Sequence, residues 1–134
     1  MFFIYKTLTN FLYPIFVLII YLRKLFNKED SRRYKEKIFP WCFNIKKAKD
    51  KKLIWFHAAS IGELQSIFPI IIEINKKNSS VEILITTVTL TSGKLAENEI
   101  KKFDNVIHRY FPIDTNFLMK KFLSLWRPDV VFFV

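Results

Sequence analysis

The chain has 134 residues, enough for one ordinary domain or part of a larger one. Apolar residues make up 51%, which argues against disorder, and the lone cysteine, Cys42, excludes an intrachain disulfide. The formal net charge of +10 is unevenly placed: residues 1–52 carry thirteen Lys/Arg against four Asp/Glu, and residues 53–134 carry nine against eight. A basic flank beside an apolar stretch points to an anionic membrane surface and away from nucleic acid.

Residues 1–25 read as a hydrophobic membrane anchor. From Phe11 to Leu22 every residue is apolar or aromatic, Pro14 included. Counted from Thr7 the run reaches sixteen residues, against the roughly 20 that a spanning helix needs. The segment is therefore expected to dock on the bilayer as a hydrophobic foot, or to cross it as a short span. Arg23 and Lys24 stand where a signal peptide would carry its small-residue cleavage site. In a spanning segment they would place the following residues on the cytoplasmic side. A buried amphipathic helix is the alternative. Residues 26–52 form a basic connector, with Ser31 as the expected cap of a short helix over 31–37, a break at Phe39-Pro40-Trp41, and a polar run from Lys46 to Lys52.

From Leu53 the pattern alternates. Leu53–His57 is a buried strand by length and residue type. Ala58–Glu63 turns into a helix whose apolar face is read as Leu64, Ile67, Phe68, Ile71, Ile72 and Asn75. Val81–Thr87 is a second strand, and a helix follows from Thr91 to about Lys102. Val106–Phe111 is a third strand, and Asp114 is the expected cap of a helix reaching about Trp126. Arg127-Pro128-Asp129 turns into a fourth strand from Val130. Strand–helix alternation predicts an α/β fold: a parallel sheet covered by helices, with ligands bound beyond the carboxyl ends of the strands. Because residue 134 falls inside that fourth strand, residues 53–134 are expected to be a truncated half-domain.

The chemistry-bearing residues should then lie just after each strand. Both glycines, Gly62 and Gly93, fall there. In the first turn Ser60 and Glu63 have capping-box spacing, so Glu63 has a structural role open to it as well as that of a general base. His57 ends its strand and reads as a packed, hydrogen-bonded histidine. The second turn, Thr86 to Lys94, offers hydroxyls and helix-start N–H groups suited to sugar hydroxyls or a phosphate. It lacks the P-loop pattern. No CxxC, HExxH or GxSxG occurs, and His57 and His108 stand without a ligand cluster, so no metal site is expected.

These turns carry a resemblance. LIWFHAASIGEL, Leu53 to Leu64, resembles the opening of the Kdo transferases, whose hallmark is H-[AS]-x-S-x-G-E. TTVTLTSG, Thr86 to Gly93, is similar to their T-T-x-T-x-T-G segment, with Ser92 inserted. His108 to Asp114 resembles their H-x-Y-x-P-x-D run, and Phe122 to Val134, with its Arg127-Pro128 turn, the segment before their next strand. The resemblance implies the N-terminal half of a two-domain GT-B glycosyltransferase at the cytoplasmic face of the inner membrane. Such an enzyme moves Kdo from the donor CMP-Kdo to the lipid A precursor, lipid IVA, with no cofactor and no metal in the transfer. It implies Glu63 as the catalytic base. Ser60, Gly62, Thr87, Thr89 and Gly93 become acceptor-binding residues, and anionic membrane lipid and the lipid A precursor the partners. Two features depart from the family pattern: the connector lacks its usual glycine, and no acidic E-T-E-x-W-P segment or nucleotide-sugar domain follows. The chain alone is therefore expected not to transfer sugar. The rival readings are another GT-B enzyme acting on a lipid-linked sugar and a non-catalytic, membrane-associated lipid-binding remnant.

Overall fold

A computed structural model describes residues 2–42 and 50–134; residues 43–49 of the connector, with the start of its polar run, lie outside them. The chain divides into two compact units, residues 1–44 with 112–125, and residues 45–111 with 126–134.

The first unit begins with helix α1 (Phe2–Leu25), which runs through Pro14. Asn27 adopts a left-handed backbone (φ 54°) just past its end. The N–H of Asn27 reaches the Lys24 carbonyl and that of Lys28 the Arg23 carbonyl. This pairing satisfies the last carbonyls of the helix, and asparagine tolerates the required φ. One face of α1 is covered: Ile20 is buried with Tyr34 and Ile38, and Tyr13, Val17, Phe39 and Ile113 pack around them. The other face is bare, with Ile4, Leu8, Phe11, Ile15, Leu18, Leu22 and Leu25 all exposed. Among the described residues no helix is long and apolar enough to cross a membrane, so the spanning form of the expected anchor has no support here.

The connector is more neutralised than its charge count implied. Buried Glu29 accepts hydrogen bonds from both Arg23 and Lys37, and Arg33 pairs with buried Glu36. The helix expected over 31–37 is a 3-10 turn, Tyr34–Lys37. Its cap is Asp30 rather than Ser31: Asp30 Oδ1 accepts the N–H groups of Arg32 and Arg33, each at 2.8 Å. Helix α4 (Asn116–Trp126) likewise starts from Thr115, whose hydroxyl accepts the Leu118 N–H, and not from the expected Asp114. In both places the neighbouring residue has the spacing that reaches the free N–H groups.

The second unit holds strands β1 (Leu53–Ala58), β2 (Glu82–Thr87), β3 (Val106–Tyr110) and β4 (Val130–Phe133) in one parallel sheet of order β3-β2-β1-β4. Helices α2 (Ile61–Lys77) and α3 (Leu90–Glu99) follow β1 and β2, and a 3-10 turn, Ile100–Lys102, completes the expected second helix. One core gathers Phe56, Ala58, Ile83, Ile85 and Val106 of the sheet with Leu64, Ile67, Phe68 and Ile71 of α2 and Ala96 of α3. Ile72, expected on the apolar face of α2, is instead exposed, and Ile74 packs on the core. One residue past Ile71 turns a side chain about 100° around a helix, whereas three return it to the same face. The chain builds β1, β2 and β3 outward in one direction, then crosses back to lay β4 on the far side of β1. The order therefore reverses between β1 and β4, and in such sheets the crevice at the reversal point, beyond the carboxyl ends, is the ligand position.

Candidate acceptor and base site

β1 ends at that crevice, and the next turn carries Ala59, Ser60, Ile61, Gly62 and Glu63. Ser60 is the N-cap of α2, with its Oγ accepting the Glu63 N–H at 3.2 Å. Glu63 closes the capping box from the other side, its Oε2 accepting the Ala59 N–H at 2.7 Å and the Ser60 N–H at 3.2 Å. Both backbone donors fall on one carboxylate oxygen. The Ser60 side chain is a further hydrogen-bonding contact of the carboxylate. The Ala59 N–H, the Ser60 side chain and the Ser60 N–H, in that order, hold the carboxyl below its ordinary value of 4.5, and nearby His57 adds to this. Glu63 is thus held by the backbone and the Ser60 side chain of its own turn and is ionised at neutral pH. The geometry bears out the expected capping box.

The two glycines differ in kind. Neither has a positive φ. A Cβ on Gly93 would lie 2.2 Å from the Tyr110 hydroxyl oxygen and 2.5 Å from its ring, so Gly93 admits the tyrosine against α3. A Cβ on Gly62 would meet nothing within 4 Å. Nothing within the described fold therefore requires glycine at 62, on the exposed first turn of α2.

The threonines of the second turn are drawn inward. Thr87 is fully buried, and its hydroxyl bonds His108 Nε2 at 2.8 Å. Thr89 caps α3: its Oγ1 accepts the Ser92 N–H at 3.2 Å and lies 2.7 Å from Ser92 Oγ. Ser92, the inserted residue, occupies the position that Glu63 holds in the first box. Ser60, Gly62 and Glu63 thus share the turn after β1, and Thr89 and Gly93 the neighbouring turn after β2.

On the opposite face of the sheet from α2, Trp55 Nε1–H donates to Thr86 Oγ1 at 2.8 Å, and His57 Nδ1 lies 2.9 Å from the same oxygen. The His57 ring sits beside Phe111 (centroids 4.2 Å apart) and Phe133 (5.3 Å). Burial lowers its pKa from the ordinary 6.5, against an opposing pull from the Glu63 carboxylate and the Thr86 backbone. Sequence reading had His57 as a packed histidine but missed this aromatic surround, because its members come from other strands. Among the described residues no group of three or more His, Cys, Asp or Glu side chains could hold a metal ion.

Comparison with known proteins gives a consistent result. The family described as 3-deoxy-D-manno-octulosonic-acid transferase (kdotransferase) matches residues 32–134. The 3-deoxy-D-manno-octulosonic acid transferase of Rickettsia bellii is 34% identical over 131 residues, covering 98% of this chain and 30% of that protein. That of Rickettsia prowazekii is 27% identical over 170 residues, covering 98% and 36%. A probable mitochondrial 3-deoxy-D-manno-octulosonic acid transferase of Arabidopsis thaliana is 31% identical over 128 residues, covering 96% and 28%. The chain spans about a third of the length of these curated relatives. No solved structure matches it significantly.

Proposed function

This chain belongs to the Kdo transferase family, and from that premise we propose that it forms the acceptor-binding, base-carrying part of a GT-B glycosyltransferase. The reaction is transfer of Kdo from CMP-Kdo to the lipid A precursor, lipid IVA. One observation carries the reading: an ionised carboxylate, held through Oε2 by two backbone N–H groups, stands in the turn after β1, where the sheet order reverses. In the proposed step Glu63 takes the proton of an acceptor hydroxyl. That oxygen attacks the anomeric carbon of Kdo, and the bond to the phosphate of CMP breaks, releasing CMP. A low carboxylate pKa limits the proton's driving force but guarantees the proton-accepting form. Gly62 leaves backbone bare beside the base, room for a sugar ring to approach.

The acceptor is an anionic lipid, and α1 supplies the contact expected of an enzyme that meets it at the cytoplasmic face of the inner membrane. Its exposed apolar stripe has a shallow groove of about 500 Å³ lined by Ile4, Thr7, Leu8 and Phe11. Exposed Lys28, Arg32 and Lys35 follow the helix. We read α1 as lying in the interface rather than crossing it.

The test is Glu63→Gln and Glu63→Ala in the full-length protein carrying this sequence, assayed with CMP-Kdo and lipid IVA. Glutamine can still accept the two backbone N–H groups but cannot take a proton, so the fold should persist while transfer falls about 10²-fold or more. Near-normal turnover by Glu63→Gln would confine Glu63 to capping.

A further inference from the structure

We infer that the end of the sheet opposite the Glu63 turn holds a second small-molecule site, built to take a neutral sugar on the paired side-chain amides of Asn75 and Asn105. This site is independent of the function proposed above and shares no residue with it.

A cavity of about 380 Å³ lies at the amino ends of the strands, within the second unit. Lys51 comes just before β1, Ser79 before β2 and Asn105 immediately before β3, and Asn75 stands in the last turn of α2. The volume suits a small molecule.

The orientation of the two amides is fixed. The Asn105 backbone carbonyl accepts the Ile83 N–H at 2.9 Å, which anchors the residue to β2. Its side chain lies 2.6 Å from the Val81 carbonyl and 2.7 Å from the Asn75 side chain. A carbonyl can only accept, so the atom facing Val81 is Asn105 Nδ2. Its second hydrogen goes to Asn75, which meets it with Oδ1. This bracing ties the end of α2 to the chain entering β2 and β3, and it uses only half of each amide. Among the described residues Asn75 Nδ2 and Asn105 Oδ1 have no hydrogen-bond partner, although both residues are half-buried. The first can only donate and the second only accept. Hydroxyls do both, so neighbouring hydroxyls of a sugar satisfy the pair.

Charge argues against an anion. Lys51 and Asp104 both line the cavity, and among the described residues neither has an ion-pair partner, so the two charges balance. The other lining cation, Lys102, is spent on Glu99 at 2.6 Å. A phosphate or carboxylate would gain no net attraction, whereas Lys51, Asp104 and the Ser79 hydroxyl each offer a bond to a further sugar hydroxyl. Phe103, packed against the core behind it, adds an apolar wall for the C–H face of the ring.

The test is a titration of the whole chain, followed by ¹H–¹⁵N spectra of the Asn75 and Asn105 side-chain amides. Glucose, galactose, mannose and N-acetylglucosamine are added in turn. At least one should shift both signals saturably, with a Kd of about 1–10 mM. Asn75→Asp keeps the oxygen that braces Asn105 and removes the N–H₂; Asp104→Ala removes an exposed acceptor that braces nothing. Each should weaken binding about tenfold while the spectrum stays dispersed. If Asn75→Asp fails to fold, Asp104→Ala decides. No saturable shift from any of the four sugars up to about 100 mM would overturn the inference. So would unchanged affinity in the folded variants, or inorganic phosphate binding more tightly than every sugar, which would make this an anion site. Any of these failures leaves the reading of Glu63 untouched.

Discussion

Gly62 and Gly93 occupy the same kind of turn for opposite reasons, and substitution separates them. Gly93→Ala drives a methyl into Tyr110, an overpacking that should cost about 1–3 kcal/mol in urea unfolding. Tyr110→Phe should not rescue it, because the ring atoms Cζ and Cε1 at 2.5 and 2.6 Å clash as well as the hydroxyl. Gly62→Ala meets no atom and should leave stability unchanged or raise it by up to about 1 kcal/mol, since alanine favours helix. Its effect should appear instead as a raised KM for the acceptor. Equal acceptor kinetics would mean that the open space at Gly62 is not used. The titrating residues of the same turn give a stability signature. His57 titrates below its ordinary 6.5 in the fold because burial disfavours its cation. As pH falls through 6.5 the unfolded chain takes up this proton first, so its contribution is full above 6.5 and is lost as pH drops through the folded value. Glu63, held low by backbone N–H groups, adds a second loss at more acid pH, beginning near 4.5. Urea midpoints should therefore decline from pH 7.5 to 5.5, and less steeply in His57→Phe. A slope unaffected by the substitution would show that His57 is not desolvated in the fold.

At the scale of elements, the strands were the most legible part of the sequence. Leu53–His57 and Val81–Thr87 are uninterrupted runs of apolar and β-favouring residues, and each strand appears within one residue of its expected bounds. The Ser60–Glu63 box was legible too, because its four-residue spacing is itself the geometry. Caps elsewhere were not: Asp30 and Thr115 stood beside Ser31 and Asp114, all four competent, and only backbone direction chooses between such neighbours. Nor could the sequence say that Thr87 faces His108 or that Thr86 faces Trp55 and His57. Adjacent strand residues point to opposite faces, and the pairing register decides which partners they meet. The α3 box is where element and site overlap. Thr89 uses its hydroxyl to start the helix, so Thr89→Ala should cost about 1 kcal/mol of stability. Thr89→Ser, which keeps the cap, should be near wild type in thermal unfolding. If Thr89→Ala instead leaves stability intact while weakening acceptor use, the hydroxyl serves the ligand before the helix.

Across the whole molecule, charge and exposed apolar surface fall in the same stretch of chain. The N-terminal residues hold nearly all of the net charge, yet Arg23, Arg33 and Lys37 are spent on Glu29 and Glu36. Lys28, Arg32 and Lys35 remain exposed for an outside anion. The bare positions of α1, at 4, 8, 11, 15, 18, 22 and 25, repeat at alternating spacings of four and three, which is also the seam of a two-helix coil. Width distinguishes the two partners. Ile19, Tyr21 and Phe26 are exposed as well, so the apolar surface is broader than a coil seam and matches the wide face of a helix lying in a lipid interface. The protein should then bind vesicles containing anionic lipid more tightly than neutral ones, and the difference should shrink as salt screens the cations. Phe11→Asp with Leu18→Asp should lower partitioning at least tenfold at any salt, because the apolar term is lost while the charges stay. Should the double variant bind vesicles as well as wild type but change from dimer to monomer in sedimentation, a second copy of α1, and not the bilayer, is what covers this face.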